Sequence, residues 1–172
     1  MLARVGKRFL GPLIAALGLM AGAAEAASLA PPADKPILTI SGKIGATNKD
    51  DTAQFDRPML EALGMETVET TTPWHSGVVK FEGVPIEKLM KEVEARGQRV
   101  SVVALNDYAS EIPIEDFTKY KVILALKRNG EYMPVRDKGP LFIIYPYDQN
   151  PELKNQTYYT RSVWQVARLI VK

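Results

Sequence analysis

Apolar residues recur along this chain with two different periods, and the switches between them mark out the elements. Ile37-Leu38-Thr39-Ile40 is a β-branched run closed by Ser41-Gly42, and it predicts a first strand. Asp56 stands where an N-cap is wanted, ahead of a short helix through Leu60 to Leu63, with Gly64 as its C′ stop. Alternation over residues 68–72 predicts an edge strand that ends before Pro73, and Val79 and Phe81 resume the strand period after a loop at 73–77. Pro85 opens a helix whose apolar face carries Ile86, Leu89, Met90 and Val93, and Gly97 is its predicted end. Residues 100–105 read as a buried strand leaving at Asn106-Asp107, and residues 112–120 as a turn or short helix. Asn129-Gly130, between strands at 122–126 and 132–135, is the strongest hairpin signal. Strands follow at 141–145 and 163–171, the first residues of the last one also fitting a helical turn. Many strands, few short helices and no βαβ alternation predict a single-domain α+β fold with a mainly mixed or antiparallel sheet.

The N-terminal stretch follows neither period. Arg4, Lys7 and Arg8 precede an apolar run at 9–23, and Ala24-Glu25-Ala26 has the small-x-small pattern of a cleavage site. Residues 1–26 are therefore expected to be a cleaved signal peptide and 27–35 an extended lead-in around Pro31-Pro32. The domain proper is expected at 36–172, in the periplasm. Gly11, Pro12, Gly18 and Gly22 interrupt the stretch, and a membrane anchor needs about 20 apolar residues. Lys7-Arg8 is only a partial echo of a twin-arginine signal, which favours export in the unfolded state.

That division changes the charge. The chain holds 22 Lys+Arg and 20 Asp+Glu; removing Arg4, Lys7, Arg8 and Glu25 leaves nineteen of each. With no basic tract and no aromatic RNA-binding motif, nucleic acid is not an expected partner. The chain has no cysteine and one histidine, His75. A cysteine nucleophile, a thiolate zinc site, an iron–sulfur cluster and a multi-histidine metal site are thereby excluded. Stability must come from an apolar core rather than disulfides.

Three segments concentrate reactive residue types. Thr72-Pro73-Trp74-His75-Ser76 sets an indole face beside an imidazole and two hydroxyls. The indole suits a flat heteroaromatic ligand and the polar groups would orient it; the alternative is a core Trp with a surface His. Asn106-Asp107-Tyr108 offers an amide, a carboxylate and a phenol in a row, able to read a donor/acceptor edge, or simply a turn. Arg136 and Lys138 can hold an anion, or lie at a solvated hairpin end. Near the C-terminus Trp164 is expected in the core, leaving Arg161 as the freer contact. No Ser-His-Asp geometry, nucleophile elbow or phosphate loop is present.

The order of motifs resembles the sulfite-oxidase-like molybdopterin-binding domain family. Gly83-Val84-Pro85-Ile86-Glu87-Lys88-Leu89-Met90 is similar to its G-V-P-L-x-x-L-L helix start. Asp107-Tyr108-Ala109-Ser110 with Ile112-Pro113 resembles its D-G-Y-S-x-x-L-P loop. Asn129-Gly130 through Pro134, then Lys138-Gly139-Pro140-Leu141, resembles its N-G-x-x-L-P…H-G-x-P-L hairpin, and Arg161-Ser162-Val163-Trp164 its K-x-V-K-W segment. Catalytic members bind molybdenum through a cysteine upstream of the G-V-P helix; here that stretch reads Thr70-Thr71-Thr72-Pro73. A hydroxyl does not replace a thiolate in that role.

Cysteine-free, stand-alone members of this fold resemble PruR-type periplasmic pterin-binding regulators. That resemblance implies no metal cofactor, a tetrahydropterin-like ligand, and contact with the periplasmic domain of an inner-membrane enzyme of cyclic di-GMP signalling. Under it Trp74 and His75, with Thr72 and Ser76, would stack on and orient the ring, Asn106, Asp107 and Tyr108 would read its edge, and Arg136, Lys138 and Arg161 would line the mouth. The other expectation is a molybdopterin-dependent oxidoreductase or its accessory subunit.

Overall fold

The computed structural model describes residues 28–172, so the expected signal peptide lies outside the described residues. Along the chain run β1 (Leu38–Gly42), β2 (Ala53–Phe55), α1 (Arg57–Ala62), β3 (Glu66–Thr72), β4 (His75–Pro85), α2 (Ile86–Glu92) and β5 (Arg99–Ala104). There follow β6 (Ala109–Pro113), α3 (Ile114–Lys119), β7 (Ile123–Arg128), β8 (Glu131–Tyr132), β9 (Phe142–Ile144), α4 (Gln156–Arg161) and β10 (Val166–Val171).

The strands form two five-stranded sheets. One has the order β2-β1-β10-β5-β6; the other runs β3-β4-β7-β8, with β9 sharing the outer edge of β7 beside β8. Among the named strands the β1–β10 pair alone is parallel, which joins the first and last of them in one sheet. The α+β class with mixed, mainly antiparallel pairing and short helices is the observed one.

Alternation explains the layering. On β7, Leu124 and Leu126 enter the larger core, while Ile123 and Ala125 point to a second, smaller cluster with Val68, Val79, Phe81, Phe142 and Ile144. This strand is buried on both faces, and Trp74 packs against both clusters. Local chemistry sets the ends of the elements. The Asp56 carboxylate accepts from the Met59 N–H (2.9 Å), and also from Ala33 (2.8 Å) and Asp34 (2.9 Å), so one buried side chain caps α1 and ties down the lead-in. These backbone donors, Asp34 foremost, hold its pKa below the usual carboxylate range. Asn129 (φ 51°) and Gly130 (φ 85°) both take the left-handed conformation of a tight hairpin turn.

Four expectations need correction. The helix α2 ends at Glu92, and the left-handed residue after it is Glu94 (φ 49°), not Gly97. Gly97 is needed for a different reason, since a Cβ there would collide with the Lys172 carbonyl. Residues 112–120 contain the end of an edge strand, β6, before the helix α3 begins. The 73–77 segment is a two-residue turn, with His75 and Ser76 already in β4. Finally, α4 precedes the last strand, which starts at Val166 rather than Val163.

Candidate functional site

A cavity of about 400 Å³ opens where three connections meet. The β3–β4 turn contributes Pro73 and Trp74, and the β5–β6 turn Asn106 and Tyr108. Gln156, Tyr159 and Thr160 come from α4, and Ser162 to Trp164 from the segment that leads into β10.

Trp74 is the hub. Its ring meets Phe142 (5.5 Å between centroids), Trp164 (5.6 Å), Tyr159 (6.1 Å) and Tyr147 (6.5 Å), all edge to face. Beneath this cluster the Tyr147 hydroxyl donates to Ser162 Oγ, which in turn donates to the Tyr158 carbonyl. Burial pushes the Tyr147 phenol well above its ordinary pKa, so it remains a donor.

The β5–β6 turn splits its three candidate residues. Asp107 takes φ 63°, and Asn106 Oδ1 accepts from the Tyr108 N–H at 3.2 Å. This leaves the Asn106 Nδ2 group to donate. Tyr108 reaches across to the Thr160 carbonyl at 3.5 Å. Asp107 turns the other way, into a 2.8 Å ion pair with Arg168, and does not line the cavity. On α4, Gln156 Nε2 faces Thr160 Oγ1 at 3.3 Å, so Oε1 is the atom left to accept.

His75 lies behind the turn. Its Nε2 is 3.0 Å from Arg128 Nη1, and a guanidinium can only donate, so this nitrogen accepts. The proton is therefore on Nδ1, donated to Thr72 Oγ1 at 2.9 Å. Arg128 is held in turn by both oxygens of Asp137, at 3.2 and 2.5 Å. Burial, then the charges of Arg128 and Lys138, hold the imidazole below its ordinary pKa, and Asp137 opposes them. The bond from Arg128 likewise keeps the Asp137 carboxyl low.

The remaining candidates scatter. Ser76 is exposed on β4, and Arg136 is exposed in the 3₁₀ turn Val135–Asp137. Lys138 places its ammonium 4.3 Å above the Trp164 ring and is not among the residues that line the cavity. Arg161 is far from free: Nη1 donates to Asp116 Oδ2 at 2.7 Å, and that same oxygen accepts from the buried Tyr145 hydroxyl at 2.8 Å. The expectation for the C-terminal pair is thus reversed. Trp164 is 37 % exposed at the cavity, whereas the Arg161 side chain is 20 % exposed and anchors α4. Sequence reasoning missed Gln156, Tyr159 and Thr160. Their local signals are the aromatic pair Tyr158-Tyr159 and Asn155, whose side chain caps α4 through the Thr157 N–H (2.9 Å).

Two sheets with short helices, and an aromatic cavity at the meeting of three connections, define a small α+β domain with a candidate ligand cavity at one end of its loops. The family model described as the oxidoreductase molybdopterin binding domain matches residues 55–148, more than half of the chain, and the chain belongs to that family. In fold it is similar to the sulfane dehydrogenase SoxCD from Paracoccus pantotrophus, with a TM-score of 0.56 at 18 % identity. The likeness covers 78 % of this chain but 37 % of that one. No curated protein sequence matches the chain. The cavity wall from Gln156 to Trp164 lies beyond the matched family segment.

The donor set does not fit a molybdenum centre held by a protein thiolate. The chain has no cysteine, and the described residues hold no cluster of three or more metal-ligating side chains. Thr72 Oγ1 is already engaged by His75. Molybdopterin carries a phosphate, yet no Lys or Arg lines the cavity. What the lining does fit is an uncharged flat ring, with amide groups at its edge.

Proposed function

We propose that this protein is a periplasmic, non-catalytic pterin-binding regulator. The lining of the cavity carries the reading: Trp74, Trp164, Tyr108 and Tyr159 supply aromatic surface, while Asn106 and Gln156 supply a donor and an acceptor. A pterin presents a carbonyl and an adjacent N–H along one edge, which Asn106 Nδ2 and Gln156 Oε1 would match. Asp107, engaged with Arg168, gives up the edge-reading role to these two amides. A tetrahydropterin is the ligand class.

The regulatory part follows from the resemblance of the chain to cysteine-free pterin-binding regulators. Its partner would be the periplasmic domain of an inner-membrane enzyme of cyclic di-GMP turnover. Leu105 (53 % exposed) and Val135 (51 % exposed) support a protein contact near the cavity, because their backbones are bridged to each other through Gln165.

Titration calorimetry with a tetrahydropterin tests the ligand. Saturable binding with quenched tryptophan fluorescence, weakened in W164A, is expected; no heat and no quenching would overturn the assignment. Family membership favours a second reading, a molybdopterin-dependent oxidoreductase or its accessory subunit. Stoichiometric molybdenum in protein purified from the periplasm would establish that reading instead.

A further inference from the structure

The structure assigns His75 a role as a positioning residue: we propose that the neutral imidazole locks the Pro73–Trp74 turn from behind, so that uptake of one proton by His75 loosens the aromatic wall of the cavity. The ligand half of this inference rests on the pterin reading; the coupling between His75 and Trp74 does not.

Geometry carries the argument. Thr72 and His75 are a register pair flanking the turn, and their side chains are joined across it at 2.9 Å. Thr72 Oγ1 also lies 3.4 Å from the Trp74 N–H. One hydroxyl thus gathers both sides of the turn that presents the indole. The imidazole is fixed from its other end by Arg128 on β7, itself clamped by Asp137. The chain Thr72–His75–Arg128–Asp137 therefore ties the turn to the central strand of the sheet.

This chain works for one protonation state. Neutral His75 donates through Nδ1 and accepts through Nε2. Protonation turns Nε2 into a donor aimed at the Arg128 donor, and places a cation against another cation. The groups facing the ring are Arg128 on β7, Asp137 at the end of the 3₁₀ turn after β8 and Lys138 just beyond it, Thr72 on β3, and the Phe81 ring at 5.8 Å on β4. Asp137 is already paired to Arg128, so two cations meet one committed carboxylate. The lowered pKa of His75 agrees with this balance.

His75 is the only histidine, and Trp74 is one of two tryptophans, which makes both ends separately observable. In W164F, the fluorescence of Trp74 should change with pH along the same curve as the His75 Cε1–H proton signal, with a midpoint below the ordinary value of about 6.5. In H75Q/W164F the fluorescence should be flat over that range. Binding of 6-methyltetrahydropterin to the otherwise unaltered protein should weaken several-fold between pH 7.5 and pH 5. H75Q should retain only the dependence that comes from titration of the pterin itself.

Trp74 fluorescence that ignores His75 titration would overturn the coupling, as would an imidazole that titrates at its ordinary value. Coupled curves in protein that binds no pterin at any pH would overturn the pterin reading and leave the His75–Trp74 coupling standing. Equal pH dependence of binding in wild type and H75Q would sink the effect of the proton on ligand affinity.

Discussion

Trp74 and Trp164 meet edge to face, their ring centroids 5.6 Å apart and their planes 72° from one another, and together they form the aromatic wall of the cavity. The two indoles are held unequally. Trp74 packs against both hydrophobic clusters, whereas Trp164 is 37 % exposed and has the Lys138 ammonium over its ring. W164A is therefore expected to unfold within about 1 kcal/mol of wild type. It should bind a tetrahydropterin about tenfold more weakly, the loss of an aromatic contact worth about 1.4 kcal/mol. W74A should lose about 3 kcal/mol of stability as well, through the cavity it leaves in the core. Denaturant titration beside calorimetry separates the two effects.

Asp116 is the anchor of α4. It is 5 % exposed and accepts from both Tyr145 and Arg161 through one oxygen. D116A leaves a buried phenol and a largely covered guanidinium without their acceptor, at an expected cost of about 3 kcal/mol. Because Gln156, Tyr159 and Thr160 ride on the same helix, ligand affinity should fall with stability. R161M removes the charge together with part of the need for it and should cost less than D116A. A greater loss in R161M, read from urea unfolding midpoints, would contradict this account.

Acid stability should depend on Asp148. Its carboxylate accepts from the Thr71 N–H (2.6 Å) and hydroxyl (2.7 Å) and from Lys154 (2.6 Å), which ties the edge strand β3 to the loop after β9. These bonds, that of Lys154 first, lower its pKa to about 2. A carboxyl lowered on folding stabilises the native state above its unfolded value of about 3.9 and loses that contribution as pH falls through the folded value. Stability should therefore decline between about pH 4 and pH 2, and D148N should flatten that limb of the curve. Thermal melts across this range, in parallel for both proteins, give the comparison.

Gly83 sits at a register shift between β4 and β7, where a Cβ would collide with the Leu124 carbonyl. Both strands are backbone-paired there and cannot move apart without breaking the ladder. G83A should cost about 2 kcal/mol by overpacking. Its effect on ligand affinity at fixed folded fraction should be small, since Gly83 is at the opposite end of β4 from Trp74.

Where the code is local, the elements were legible in the chain. Asp56 as N-cap, Gly64 as C′ residue and the Asn129-Gly130 turn each act within a few residues, and each occurs where the pattern placed it. The misjudged pieces are those that local patterning cannot settle. Residues 109–113 carry little strand pattern, yet they pair with β5 because that buried strand has an open edge. The helix α4 has no apolar stripe; it is held by Asp116 and by its aromatic contacts with the core.

The candidate site divides in the same way. Proximity along the chain grouped Asn106, Asp107 and Tyr108, but alternation across the turn sends Asp107 to Arg168 and its two neighbours toward the cavity. Arg161 was the more exposed choice by residue type, and Trp164 the more buried. A buried carboxylate 45 residues earlier in the chain reversed them.

By itself, the sequence determined the first strand, the Asp56 cap and the Asn129-Gly130 turn, and that no thiolate is available to a metal, because no fold can supply a ligand the chain lacks. Tertiary structure alone decided that the two tryptophans face one another, that His75 carries its proton on Nδ1, and that α4 closes the cavity. Each of these depends on partners tens of residues away, His75 on Arg128 across 53 positions. Such pairs are brought together by the packing and register of the sheets, which no short stretch of residues encodes.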